Sequence, residues 1–184
     1  MTLYTAILNY IEKEIPRVLE EAGKRNKFIK SQLESSTKDM IATEFAKYRI
    51  LVDEAYEHKD KKITDDVLDY IIKKVGKIEE LHFSVTITTP NILSARKEFF
   101  KSYIEFYQQI FKQENNTCSL EEAIRLQFKT KEAYKKAIEP IFQSEKKIEC
   151  MINKSQPAFT EMNSALFEAS KFVTDKKADE IFSN

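Results

Sequence analysis

Residues Ile92–Phe111 carry their apolar side chains in adjacent pairs: Ile92/Leu93, Phe99/Phe100, Tyr103/Ile104, Phe106/Tyr107 and Ile110/Phe111. The pairs recur at the helical period, and pairing widens the apolar face beyond what one neighbouring element can cover. Such a helix belongs at the centre of a bundle. Arg96, Lys97, Lys101, Glu105, Gln108 and Lys112 fill the remaining polar stripe. Thr89 and Pro90 mark its start, with a hydroxyl at the N-cap and a ring that presets φ at the first helical position.

The rest of the chain is written in the same idiom. Two glycines and four prolines in 184 residues leave almost no chemistry for hairpins or glycine-rich loops. The fold expected is therefore all-α: one domain over residues 1–184, a bundle of about five to seven helices, some of them long and kinked at proline.

The first helical stripe covers Leu3–Glu21, with a kink or break expected near Glu14–Ile15 because Pro16 removes an N–H and crowds the preceding turn. Gly23 is one candidate end of this helix, and Phe28, Ile29 and Leu33 are the pattern that could carry it on to Glu34. Ser36 and Asp39 resemble a capping box that opens the next helix, which the run His58–Lys62 closes. Thr64, followed by Asp65 and Asp66, starts another, with negative charge at the positive end of the helix dipole. Ser119-Leu120-Glu121-Glu122 is a capping box, and the helix it opens is expected to run, kinked at Pro140, to about Met151. The chain restarts at Ser155-Gln156-Pro157, and the tail from Lys176 is expected to fray.

His82–Thr89 departs from this pattern. Phe83, Val85 and Ile87 alternate with polar neighbours, a β-period in a β-branched stretch. It reads as a short extended segment that plugs the core. The sharper reading makes Phe83, Val85 and Ile87 partner-binding residues that pair with a partner strand or a second copy by β-addition.

Lysine and arginine balance aspartate and glutamate at 30 each, and only five of the basic residues are arginine. Nucleic acid, which needs a basic footprint and bidentate readout, is an unlikely partner on these grounds. No stretch approaches the ~18 uninterrupted apolar residues of a membrane span. The first residues lack a basic n-region and reach Glu12 before an apolar core is complete. Cytoplasmic residence is expected, with export by a signal-independent route as the exception. Cys118 and Cys150 are expected to be reduced thiols.

Candidate chemistry is sparse. Glu79-x-x-His82 has the spacing of a di-iron bundle ligand pair, but His58 is the one other histidine and a second such motif is missing, so no metal site is assigned. Cys118 precedes the N-cap Ser119, where a thiol is acidified, yet no triad pattern accompanies it. Cys150 reads as core or border. Glycine-dependent phosphate and dinucleotide motifs are absent. Glu145 and Glu149, opposed by Lys146, read as an ordinary solvated face, and the 13 phenylalanines and 8 tyrosines as core.

No catalytic, cofactor-binding or metal residues and no cofactor are therefore assigned. The function expected is a non-enzymatic helical interaction protein (adaptor, regulator, effector or inhibitor-type module) acting through protein–protein contacts. The wide face of Ile92–Phe111 could equally be covered by a homodimer. The alternatives are a membrane-surface bundle working through lysine clusters such as Lys59/Lys61/Lys62, and an enzyme whose site is assembled from scattered Glu, Tyr and Lys side chains.

Overall fold

The computed structural model describes residues 1–80, 90–117 and 119–183, excepting the side chains of residues 32–37 and 80. Among the described residues the fold is all-helical, without a strand. The helices are α1 (Leu3–Arg25), α2 (Lys27–Glu57), α3 (Asp65–Glu80), α4 (Pro90–Phe111), α5 (Leu120–Phe128), α6 (Lys131–Ser155) and α7 (Thr160–Ile181), with a 3-10 turn at Pro157–Phe159. His82–Thr89, with Phe83, Val85 and Ile87, and Cys118 lie outside the described residues. None of the helices found is long and apolar enough to cross a membrane.

Five helices close into a ring in the order α1, α2, α4, α6, α7 and back to α1. Side-chain contacts fix their directions. Tyr4 of α1 bonds Asp53 near the far end of α2, so these two run antiparallel. Tyr48 and Tyr56 of α2 meet Tyr103 and Phe111 of α4, a parallel pair. Glu98 of α4 meets Lys147 of α6 while Phe106 meets Tyr134, and Phe142 of α6 meets Phe167 of α7 while Lys131 meets Asp179, so both pairs are antiparallel. Thus α2, α4 and α7 run one way and α1 and α6 the other. Shorter α3 lies against α2 and α4, whereas α5 contacts α1, α4, α6 and α7 and so crosses one end of the ring.

The sequence reasons are local. In α1, Leu3, Ile7, Ile11, Ile15, Leu19 and Ala22 recur every three or four residues and all are buried. The paired face of α4 behaves as its width requires: Phe99, Phe100, Tyr103, Ile104, Phe106, Tyr107, Ile110 and Phe111 are all buried within this one chain. Its cover is α2, α3, α5 and α6, so no second copy is needed to bury it.

Several expectations need correction. α1 passes through Pro16 without ending and stops at Arg25, where Asn26 accepts from the N–H groups of Phe28 (3.0 Å) and Ile29 (3.3 Å) and begins α2. Because α2 continues through residues 35–37, there is no helix start for Ser36 to cap. The Ser119 cap is as expected, its hydroxyl accepting from Glu122 N–H at 3.4 Å, but the helix it opens is not one long rod. Lys129 has φ 68° and ends α5, and Thr130 caps α6 by accepting from Ala133 N–H at 3.1 Å. Lysine carries no mark of a positive-φ position, so this break was invisible in the sequence. Pro140 lies inside α6 without ending it. The tail does not fray: Ala178 and Ile181 are buried, and Arg125 donates to the Ile181 carbonyl at 3.2 Å.

Gln108 was placed on the polar stripe of α4, yet it is buried. Its side-chain NH2 donates to the carbonyls of His58 (2.6 Å) and Lys61 (3.0 Å), pinning the turn that leaves α2. Gln108→Ala removes the side-chain donor from the Lys61 carbonyl and leaves the His58 carbonyl with the Lys61 N–H alone, and is expected to cost about 1–2 kcal/mol in denaturant unfolding. A change below ~0.5 kcal/mol would mean water already serves those groups.

Candidate functional site

The ring is not packed solid. A chamber of about 460 Å³ runs along its inside and takes side chains from all five ring helices. That volume lies within the roughly 300–1,000 Å³ usual for small-molecule sites. One end is shut by aromatic packing: Phe106 stacks on Phe128 with centroids 5.7 Å apart, and Tyr134 contacts both rings and Phe182. Towards the other end the wall residues Met40, Ile152 and Met162 are only half-buried, so the chamber opens there.

Most of the wall is aliphatic or aromatic, but four helices each present a polar pair one helical turn apart. α1 gives Tyr10 and Glu14, α2 gives Glu44 and Tyr48, α4 gives Tyr103 and Tyr107, and α6 gives Glu145 and Glu149. Residues four apart share a face, so each pair faces inward as a unit. Tyr103 contacts Tyr48 at 5.1 Å and Tyr107 at 4.9 Å between ring centroids, forming a continuous aromatic strip.

The carboxylates are not equally provided for. Glu44 pairs with Lys47 at 2.9 Å. Buried Glu149 pairs with Lys146 at 3.3 Å and accepts from Ser164 Oγ at 3.1 Å. Burial pushes Glu14 up to about 7, against the Tyr10 hydrogen bond and the positive charges of Lys177 and Arg17. Burial likewise pushes Glu145 up to about 7; Lys47 opposes this and Glu44, Glu14 and Glu149 add to it. By surface area both side chains are only half-buried, but protein surrounds them closely enough that water solvates the charge poorly. Glu145 has no hydrogen bond or ion pair within hydrogen-bonding distance among the described residues. Burial also raises Tyr10, Tyr48, Tyr103, Tyr107 and Tyr134 above the usual phenol range, so these hydroxyls stay protonated.

None of the residues lining the chamber is a lysine, arginine, histidine or cysteine. Among the described residues the wall thus offers no thiol or imidazole for nucleophilic catalysis, and the Lys47 ammonium beside it is paired with Glu44 and lies over the Tyr48 ring. Two carboxyls poised near neutrality could exchange protons with a bound molecule.

The residues singled out in the sequence lie elsewhere. Glu79 is held by Arg96 across the contact between α3 and α4, and Arg96 lies over the Phe100 ring, so Glu79 is engaged as structure. His82, Phe83, Val85, Ile87 and Cys118 are outside the described residues. Cys150 is exposed rather than core or border. His58 sits at the C-cap of α2 with Nδ1 3.3 Å from Glu54 Oε2, and the possible ligand atoms of Glu54, Glu57 and His58 lie within 4.8 Å of one another. These three come from one helix end and face away from the chamber.

Sequence reasoning missed the chamber because each Tyr/Glu pair, on its own helix, resembles the border between a buried and a solvated face. The available signal was the coincidence of four such pairs at one-turn spacing on four helices. Comparisons with protein-family models, with curated proteins and with solved structures find no match to this chain.

Proposed function

We propose that this protein is a non-enzymatic helical binding protein whose ring of α1, α2, α4, α6 and α7 encloses a small, largely apolar molecule. The observation that carries this reading is the chamber: it is open at one end, shut by aromatic rings at the other, and lined by every helix of the ring. Its size is that of a small-molecule site, and its wall is mostly apolar with a few polar groups converging on it. Glu14 and Glu145 would also suit general acid–base catalysis, but no nucleophile stands beside them in the wall.

Titration with 1-aminoanthracene, a neutral fluorophore that brightens in apolar surroundings, tests the reading. Saturable enhancement with Kd of about 100 µM or tighter is expected. Leu166→Trp, which fills the chamber from α7, is expected to weaken binding about tenfold while leaving the helical circular dichroism unchanged. Binding indifferent to that substitution would place the probe elsewhere and remove the proposal.

Protein–protein contact is the second reading. Phe28 and Phe159 are exposed, 66% and 41%, at the end of the bundle where the chamber opens. A solution mass above 21.6 kDa in light scattering, lowered by Phe28→Ser, would favour it.

A further inference from the structure

We propose that the occupant of the chamber is a lipophilic cation, an ammonium group on an apolar body, with Glu145 as its counter-ion and the tyrosine strip as its cradle. This deepens the binding reading and rests on it.

Charge complementarity comes first. Four carboxylates line the chamber and none of the lining side chains is basic. The ammonium groups of Lys47 and Lys146 beside the wall are already paired with Glu44 and Glu149, so an anionic head would meet acids without a free base, and a neutral body would leave Glu145 unanswered. Three of the four have partners: Glu44 has Lys47 and Glu149 has Lys146 and Ser164, all from beside the wall, and Glu14 has the Tyr10 hydroxyl. Glu145 alone lacks one among the described residues. A carboxyl left bare against an apolar wall is costly unless something arrives to meet it.

The aromatic groups supply the second argument. Tyr103 and Tyr107 offer ring faces whose hydroxyls remain neutral, while Tyr48, in contact with Tyr103, already carries the Lys47 ammonium 4.7 Å from its ring centre. Ring faces attract cations, most of all in desolvated sites, and quaternary ammonium groups are characteristically held between such faces and a carboxylate. The third argument is shape. Beyond the polar pairs the wall is mostly aliphatic or aromatic, with Ile11, Ile15, Ile138 and Leu166 available to an alkyl or ring body.

The charged surroundings set how the counter-ion responds. Glu145 faces Glu44 and Lys47 from α2, Glu14 from α1 and Glu149 on its own helix. A fixed positive charge placed among these acids favours their ionised forms, so its arrival holds Glu145 deprotonated.

The test is displacement of 1-aminoanthracene at pH 7.5 by decyltrimethylammonium, decanoate and 1-decanol, below their micellar or solubility limits. The cation is expected to displace the fluorophore at least about tenfold more effectively than either of the others. Glu145→Gln is expected to weaken the cation about tenfold more than it weakens 1-aminoanthracene, which carries no charge for the carboxylate to meet. Glu14→Gln, which keeps the size of a neighbouring wall residue, serves as a second variant and is expected to weaken the cation less. If 1-decanol or decanoate matches the cation, or if Glu145→Gln leaves cation affinity unchanged, the cation inference fails and the chamber reading stands. If 1-aminoanthracene does not bind the wild-type protein, both fail.

Discussion

Phe106→Ala is expected to lower the unfolding free energy by about 3–5 kcal/mol, and with it the thermal midpoint by roughly 10 °C. Phe106 is buried where α4, α5 and α6 converge, within ring contact of Tyr107, Phe128 and Tyr134. Removing it deletes the stacked partner of Phe128 and extends the chamber through its closed end. The protein cannot refill that space by moving one side chain, because Tyr134 is itself held by Phe128 and Phe182. Urea unfolding measures the loss. A change under about 1 kcal/mol would show that the end of the chamber is not packed as described.

The second large effect is a dependence of stability on pH. Glu14 and Glu145 hold their protons up to about 7 in the folded protein, against an ordinary value of 4.5. Between those values the folded chain binds more protons than the unfolded chain, so raising the pH favours unfolding. Their contribution is fully favourable below pH 4.5, falls through the interval and is lost above about pH 7. Each shift corresponds to about 3 kcal/mol, and the two do not simply add because the groups repel each other. Glu121 works in the opposite sense at the acid end. Burial raises it, but its backbone N–H bond and Lys177 outweigh that and hold it below its ordinary value, so its contribution is lost on strong acidification. Stability is thus expected to peak in mild acid and to decline by several kcal/mol towards pH 8. The double variant Glu14→Gln/Glu145→Gln should flatten the decline and be the more stable protein at pH 8. An equally steep decline in that variant would assign the effect to other groups.

Much of the architecture was legible because it is written at short range. The step of three or four residues in Leu3, Ile7, Ile11, Ile15 and Leu19, the caps at Thr64 and Ser119, and the paired face of α4 each follow from helix geometry acting within about one or two turns. The scarcity of glycine confined the chain to helices. Where the local rules were weak, the sequence misled. Lys129 takes a positive φ without a residue suited to it, so the end of α5 carries no local mark.

The candidate site belongs to the other kind of information. Glu14, Glu44, Glu145 and Glu149 lie up to 135 residues apart in sequence, and nothing within a turn of any of them says that they face a common space. Glu145 and Glu149 looked like members of a solvated face because Lys146 lies beside them, and Lys146 does pair with Glu149. What the local pattern omits is the closure of the ring, which replaces water beside Glu145 with the walls of four other helices. The sequence alone determined that the chain makes helices and which face of each is apolar, since both depend on neighbours a few residues away. The tertiary structure alone decided that those faces enclose a chamber with an unpaired acid on its wall, because desolvation depends on every helix that surrounds a group and not on the one that carries it.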